Sequence, residues 1–431
     1  MNSANVLKRV AGVLVAGLAW CAMADAPVIS DVVVRQRWPW SRLVDIDYVL
    51  TGDPTDRMDV LVTAKDGSVD LVLPPGALSG NLFGVASGPR RIIFDPTQTV
   101  YTNNQMLTQF SVTLTPTVPA VYMVVDLTKA AGQEGLVEYI YPGDGRLVTE
   151  GRYTNVWFDV TNDVYKTDKM VFRRIPAGTF IMGSPSDEVP RDPDPREKQH
   201  TVTLTKDYWM GVFEVTKSQY SKVMGGADGG ALRKTPHATI YYTTIRGHHT
   251  NELGVSVYNW PTNRHAVAQE TILAKLREKT GGLLFDLPTD AQWEYACRAG
   301  TTGKWNAGRP DLTASDVAEI SEFCWYNNHG GASVKEVGVL IPNAWGLYDM
   351  HGNVFEWCLD WYDVNYHNYS PSVDPLGPPD AVPANPTLRC KRGGAFTSPV
   401  DGKHIRSGYR SNMPFTSTGW DHGFRLCVWQ Y

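Results

Sequence analysis

Asn343-Ala-Trp-Gly-Leu-Tyr-Asp-Met-His-Gly-Asn-Val-Phe-Glu-Trp357 is the stretch on which the reading of this chain turns. Within it, Asp349 stands three residues before Gly352 and seven before Glu356. A glycine permits backbone angles that other residues avoid, so the two acids flanking it can be turned back onto one point. Carboxylates gathered that way suit a hard cation such as calcium, which takes six to eight oxygens and accepts main-chain carbonyls among them. The plainer alternative is that Asp349 and Glu356 only hold loop hydrogen bonds.

Four more blocks lie outward from this stretch. Upstream are Arg174-Ile-Pro-Ala-Gly-Thr-Phe-Ile-Met-Gly-Ser184 and Leu287-Pro-Thr-Asp-Ala-Gln-Trp-Glu-Tyr-Ala-Cys-Arg-Ala-Gly-Thr301; downstream are Lys391-Arg-Gly-Gly-Ala-Phe396 and Gly423-Phe-Arg425. Together, and in this order, the five blocks resemble the formylglycine-generating enzyme family, also called sulfatase-modifying factors, over roughly residues 170–431. The resemblance implies an α+β, modified C-type-lectin-like fold with few regular elements and long ordered loops.

It also implies a calcium site built from the Asp349 side chain, the carbonyls of Gly352 and Val354, and the Glu356 carboxylate. A second calcium site of the family would fall near Trp325–Lys335. Glu214 takes the family's Glu-Val-Thr position, where holding a loop amide is the expected role. In the family, a cysteine at the Cys297 position bridges to one beside the final Gly-Phe-Arg, but Cys427 stands one residue later. On a strand that shift turns a side chain to the other face, so the bridge is left open. The family's oxidases place one cysteine a few residues after Arg-Gly-Gly and a second five residues further on, and the pair binds copper and engages the substrate cysteine. Aligned forward from Arg392 and backward from Arg406-Ser-Gly-Tyr-Arg410, those positions hold Ser398 and Gly402. Neither replaces a soft thiolate for Cu(I), so copper chemistry and formylglycine generation are expected to be lost.

The N-terminus reads as a signal peptide over residues 1–24: Lys8-Arg9, an apolar run from Val10 to Trp20, then Ala22-Met-Ala24. About eleven apolar residues fall short of the roughly 20 that span a bilayer, so export to a periplasm, the cell surface or beyond is expected, with no transmembrane segment in the mature chain. A formal net charge of -5 over 431 residues provides no basic footprint for nucleic acid. Five cysteines follow the signal, Cys297, Cys324, Cys358, Cys390 and Cys427. One or two disulfides are expected in an oxidising compartment, with at least one thiol left over. No C-x-x-C spacing supports a zinc or thioredoxin site.

Residues 27–118 read as a small β-sandwich-like domain. Val44, Ile46, Tyr48 and Leu50 alternate with polar residues, as do Phe110, Val112 and Leu114. Trp38-Pro39-Trp40 is expected to plug a strand start rather than stack on a sugar. Residues 119–168 form a connecting segment that docks on the C-terminal domain, residues 169–431. There, strands are expected from Arg174 to Met182, His200 to Thr205 and Gly211 to Thr216. Helices follow at Lys217–Met224, capped by Thr216, within Ala266–Lys279, and at Asp290–Arg298, capped by Thr289 with Trp293 and Ala296 facing inward.

Other chemistries lack support. His248-His249 belongs to no metal-binding spacing, and Ser398 with nearby Asp401 and His404 has no nucleophile-elbow signature. The leading expectation is a calcium-stabilised binding module for a protein or glycan, with Tyr409, Phe415, Trp420, Asp421 and His422 as candidate surface contacts. The alternative is an oxidase on the same scaffold, either through an unrecognised thiol or of the pyoverdine-maturation type; a structural role comes third.

Overall fold

A computed structural model describes residues 26–54, 56–101, 106–192, 195–247, 260–306, 317–327, 329, 331, 333–379, 387–399 and 402–429. The segment 1–24 read as a signal peptide, His248-His249 and Asp401 lie outside these residues. The alternation read near the N-terminus becomes two facing sheets. One is ordered Val28–Gln36, Val44–Thr51, Gly88–Phe94, Leu78–Gly80; the other is ordered Val69–Leu71, Asp59–Asp66, Phe110–Thr117. Val44, Ile46, Tyr48 and Leu50 all point into the core at 2 % exposure or less, and Phe94 stacks on Phe110 at 5.0 Å between the sheets. The aromatic plug is not formed: Trp38 is 37 % and Trp40 91 % exposed. The core is already filled by residues of the strands themselves, so the turn before Val44 carries its indoles outside.

The C-terminal part is mixed and rich in strands, with few helices. Its largest element is an antiparallel six-stranded sheet ordered Leu284–Asp286, Cys427–Trp429, Tyr208–Gly211, Lys169–Ile175, Tyr122–Asp126, Val137–Ile140. Tyr122–Asp126 is buried along its whole length, so the segment after the sandwich contributes strands to this sheet. The expected Arg174–Met182 strand divides in two, Lys169–Ile175 and Gly178–Met182. Pro176 has no N–H to continue a ladder, and the two pieces join different sheets. Similarly, the strand expected from Gly211 ends there, at Tyr208–Gly211.

Helix starts follow the sequence closely. Thr216 and Thr289 each accept from the amide three residues on, while Gln219 and Gln292 reach back to the cap amides, completing two capping boxes. The third helix is shorter than the expected span, Ile272–Lys279, and is capped by Thr271. Trp293 and Ala296 are fully buried. No helix among the described residues is long and apolar enough to cross a membrane.

The two parts meet through a tight seam. Asp59 of the sandwich accepts both guanidinium contacts from Arg174 at 2.9 Å and the amides of Gly84 and Ala120 at 3.0 Å, while Arg174 also donates to Asp207. Nearby, Gly76 lies so close to Gly281 and Gly282 that a β-carbon on it would fall 1.7 Å from the Gly281 carbonyl oxygen.

Candidate functional site

Asp349 and Asn353 both adopt left-handed backbone angles, φ 57°, on either side of Gly352 at φ 97°. A β-carbon at Gly352 would sit 1.8 Å from the Trp325 carbonyl oxygen, so the turn admits only glycine. It buries three acids near one another. Asp349 accepts the Gly338 amide through Oδ2 at 2.7 Å, and its Oδ1 is buried with no hydrogen-bond partner. Glu214 accepts the Val354 amide at 3.1 Å and the Asn353 side chain at 2.7 Å, the loop-holding role expected of it. Glu356 pairs with Arg425 at 2.7 Å and accepts the Trp293 indole N–H at 2.6 Å.

Burial is the main reason the Asp349 carboxyl is pushed up to about 6, and it pushes Glu214 well above the usual range, with Asp349 and Glu356 adding to the effect. Three acids therefore face one guanidinium, Arg425, and an orphaned oxygen stays at Asp349. These features fit a cation at this turn. The carboxylates do not converge by themselves: among the described residues no group of three or more His, Cys, Asp or Glu side chains could hold a metal ion. A calcium ion here would draw on Asp349 and main-chain oxygens, with Glu356 already shared with Arg425.

The loop after Arg392-Gly-Gly contains no thiol. Ser398 is 2 % exposed, and its hydroxyl accepts the Ala395 amide at 2.9 Å. Gly402 rests against the ring of Trp305. The five cysteines are all buried and free, so the expected disulfides do not form. Burial pushes the Cys297 thiol up to about 12 and the other four well above the ordinary value. Such thiols are poor nucleophiles and poor soft ligands as they stand.

Around this loop the structure reveals a buried ion network that the sequence did not announce. Arg392 donates to Asp290 and, at 2.8 Å, to Glu294; Arg410 donates to the other Asp290 oxygen at 2.6 Å. Arg406 grips Glu188 and Glu197. The arginines of the quoted blocks were visible, but their acidic partners lie about a hundred or more residues away.

The five candidate surface residues divide. Trp420 is 59 % exposed and stands edge-on to Phe396 at 5.0 Å. Beside it, Asp421 contacts His422 at 2.7 Å and accepts the Thr397 hydroxyl at 2.5 Å. Burial would raise the Asp421 carboxyl, but these contacts more than offset it and hold it near 2. His422 and Tyr409 are buried, and Phe415 packs on Trp361 at 5.9 Å. Of the five, only Trp420 is exposed; Asp421, its side chain 15 % exposed, and Phe415 are half-buried. One neighbour was missed: Lys391 is buried, its ammonium 2.6 Å from His422 Nε2 and 3.9 Å from the centre of the Phe355 ring. Burial lowers it to about 8. In sequence it is one more basic residue before Arg392, and nothing local marks it.

Residues 159–430 match the family described as "Sulfatase-modifying factor enzyme 1-like domain". The chain is 34 % identical over 149 residues to the formylglycine-generating enzyme of Streptomyces coelicolor, a match covering 32 % of this chain and 45 % of that enzyme, so less than half of that relative is spanned. It is 26 % identical over 253 residues to the protein named chaperone protein LppX of Paenibacillus barcinonensis, covering 52 % of this chain and 81 % of that protein. Among solved structures, PvdO from Pseudomonas aeruginosa aligns with a TM-score of 0.45 and 26 % identity, covering 60 % of this chain and 94 % of that one.

Proposed function

The chain belongs to the sulfatase-modifying factor enzyme 1-like family, and on that premise we propose that it is an exported, calcium-stabilised recognition module rather than a copper-dependent oxidase. The observation that carries this reading is the pair Ser398 and Gly402 in the place of two thiols, with the serine hydroxyl already tied to the Ala395 amide. No cysteine among the described residues is exposed to replace them. The similarity to a protein named a chaperone, over most of that protein's length, agrees with a role in binding protein.

On this reading Trp420 and Asp421 form the centre of the contact surface for a protein or glycan, supported from beneath by Phe396 and His422. Calcium would be held by Asp349 and the carbonyls of Gly352 and Val354, with Glu356 shared between the ion and Arg425. When bound, the ion supplies the positive charge that the three buried acids lack. The family's modified C-type-lectin-like scaffold is part of the same proposal, as is export through residues 1–24.

The test is to incubate the copper-loaded mature protein with a Cys-x-Pro-x-Arg peptide and follow the peptide by mass spectrometry. No aldehyde product above a protein-free control is expected; its appearance overturns the reading in favour of oxidation through an unanticipated thiol. In a parallel melt, calcium is expected to raise Tm by mass action, and Asp349→Asn to abolish the response. A melt indifferent to calcium and chelator removes the metal from the proposal.

A further inference from the structure

A cleft with a cavity of about 270 Å³ opens between the C-terminal strand Cys427–Trp429 and the loops that carry Trp260 and Asp374. It shares no lining residue with the Asp349 turn or with the Trp420 surface. Its apolar wall is the half-buried Trp429, backed by Trp260, which is 2 % exposed, and by His265. Trp260 lies 5.5 Å from Trp429 and 5.0 Å from His265, and His265 lies 4.7 Å from Trp429.

These rings are fixed from behind. The Trp260 indole N–H donates to the Leu376 carbonyl at 2.8 Å and that of Trp429 to the Leu287 carbonyl at 3.3 Å. His265 Nδ1 meets Asp286 at 2.8 Å, and Asp286 also takes Arg246 and the Leu287 amide. An aromatic wall held in place before a ligand arrives loses little freedom on binding.

The charged groups of the cleft are unequally committed. Asp207 accepts Arg174 at 2.7 Å and the Ala177 amide at 2.7 Å; Asp374 accepts the amide of Thr205 at 2.8 Å together with its hydroxyl. Lys206 and Arg264 also line the cleft, and neither side chain has a hydrogen bond or ion pair among the described residues. Arg264 is moreover held with a left-handed backbone, φ 46°, its carbonyl accepting from Arg246 at 2.9 Å. The oxygens of the two acids are taken up by protein donors while the two cations have no partner among the described residues, so within a lining whose formal charges balance, Lys206 and Arg264 are the groups left to meet a ligand.

We propose that this cleft binds a small organic anion built on a single six-membered ring, the ring lying against Trp429 and its carboxylate facing Lys206 and Arg264. The volume sits just below the about 300–1,000 Å³ of pockets for drug-sized ligands, which suits one ring and its charged group. An aromatic acid and an acidic sugar share this chemistry.

Calorimetric titration of the whole mature chain with phenylacetate and with glucuronate, against phenylacetamide and glucose as uncharged counterparts, tests it. Saturable one-to-one binding of at least one anion is expected, weakened by added salt and absent for its uncharged counterpart. Phenylacetate alone binding identifies the aromatic class, glucuronate alone the sugar class. The double variant Lys206→Ala with Arg264→Ala changes only exposed side chains and is expected to melt like the wild type while binding about tenfold more weakly. Trp429→Ala is expected to lose binding, but it also touches the core, so the double variant decides. No saturable binding of either anion, or binding unchanged in the double variant, overturns the proposal. Neither result bears on the calcium or peptide experiments.

Discussion

On the sandwich, Arg35 and Arg91 lie across Asp47 on the outer face of a sheet, with the arginine side chains 63 % and 48 % exposed. In the C-terminal part, Arg392 and Arg410 with Asp290, Arg406 with Glu197, and Arg425 with Glu356 form the same kind of pair at 0–1 % exposure. The sandwich closes with an alternating aliphatic core and long ladders, and apart from Asp59 at the seam its ion pairs stay at or near the surface. The C-terminal part has long irregular connections that no ladder holds, so planar guanidinium forks pin one loop to another. Charge is trimming in one region and framework in the other.

The largest effect that could break this contrast is the removal of Arg392. Taking it out leaves Asp290 and Glu294 buried with too little positive charge, and Arg392→Ala is expected to lose about 3–5 kcal/mol in chemical denaturation. A loss below about 1 kcal/mol would mean that the buried network does not organise the loops.

Lys391 sharpens the comparison because it is buried against His422 and Phe355 with no acid as its direct hydrogen-bond partner. Its folded-state value, about 8, lies below the ordinary 10.5, so between these values the unfolded chain holds the extra proton. Stability should therefore rise with pH across that window, and the penalty is fully present below pH 8. Lys391→Met is expected to be the more stable form at pH 7, by up to about 3 kcal/mol, the advantage shrinking toward pH 10.5. Parallel melts of both proteins across this range check it; a gap that stays constant with pH removes the lysine as its source.

At the seam, Asp59→Ala is expected to lose about 2 kcal/mol, since Arg174 keeps Asp207 while the Gly84 and Ala120 amides lose their acceptor. Limited proteolysis after residue 118 should speed up in step. The smallest effect is expected from Arg91→Ala, under about 1 kcal/mol and fading in salt. Should Arg91 rival Arg392, the distinction between surface and framework charge collapses.

What could be read ahead of the structure was local. Thr216 and Thr289 announced their helices because a cap and its partner glutamine lie three residues apart, and Val44 to Leu50 announced a strand because every second residue faces the core. Glu214 was placed by its resemblance to a known block. What escaped depends on residues far apart in the chain. The partners of Arg392 and Arg406, the burial of Lys391 and the closure of the cleft around Trp260 and Trp429 exist only once distant segments meet. Trp40 misled for the opposite reason, since an aromatic residue's preference for the interior does not say whether the interior has room.

The contact of Gly76 with Gly281 and Gly282 makes the joint between the two parts a fitting with no clearance. Even a methyl group would act as a wedge there, so the sandwich is a fixed handle on the larger domain, and a tether attached to it would set the heading of the Trp420 surface as well as its distance. Transplanting that handle onto another scaffold would require a bare two-residue landing strip, with every side chain kept away from the point where the backbones touch.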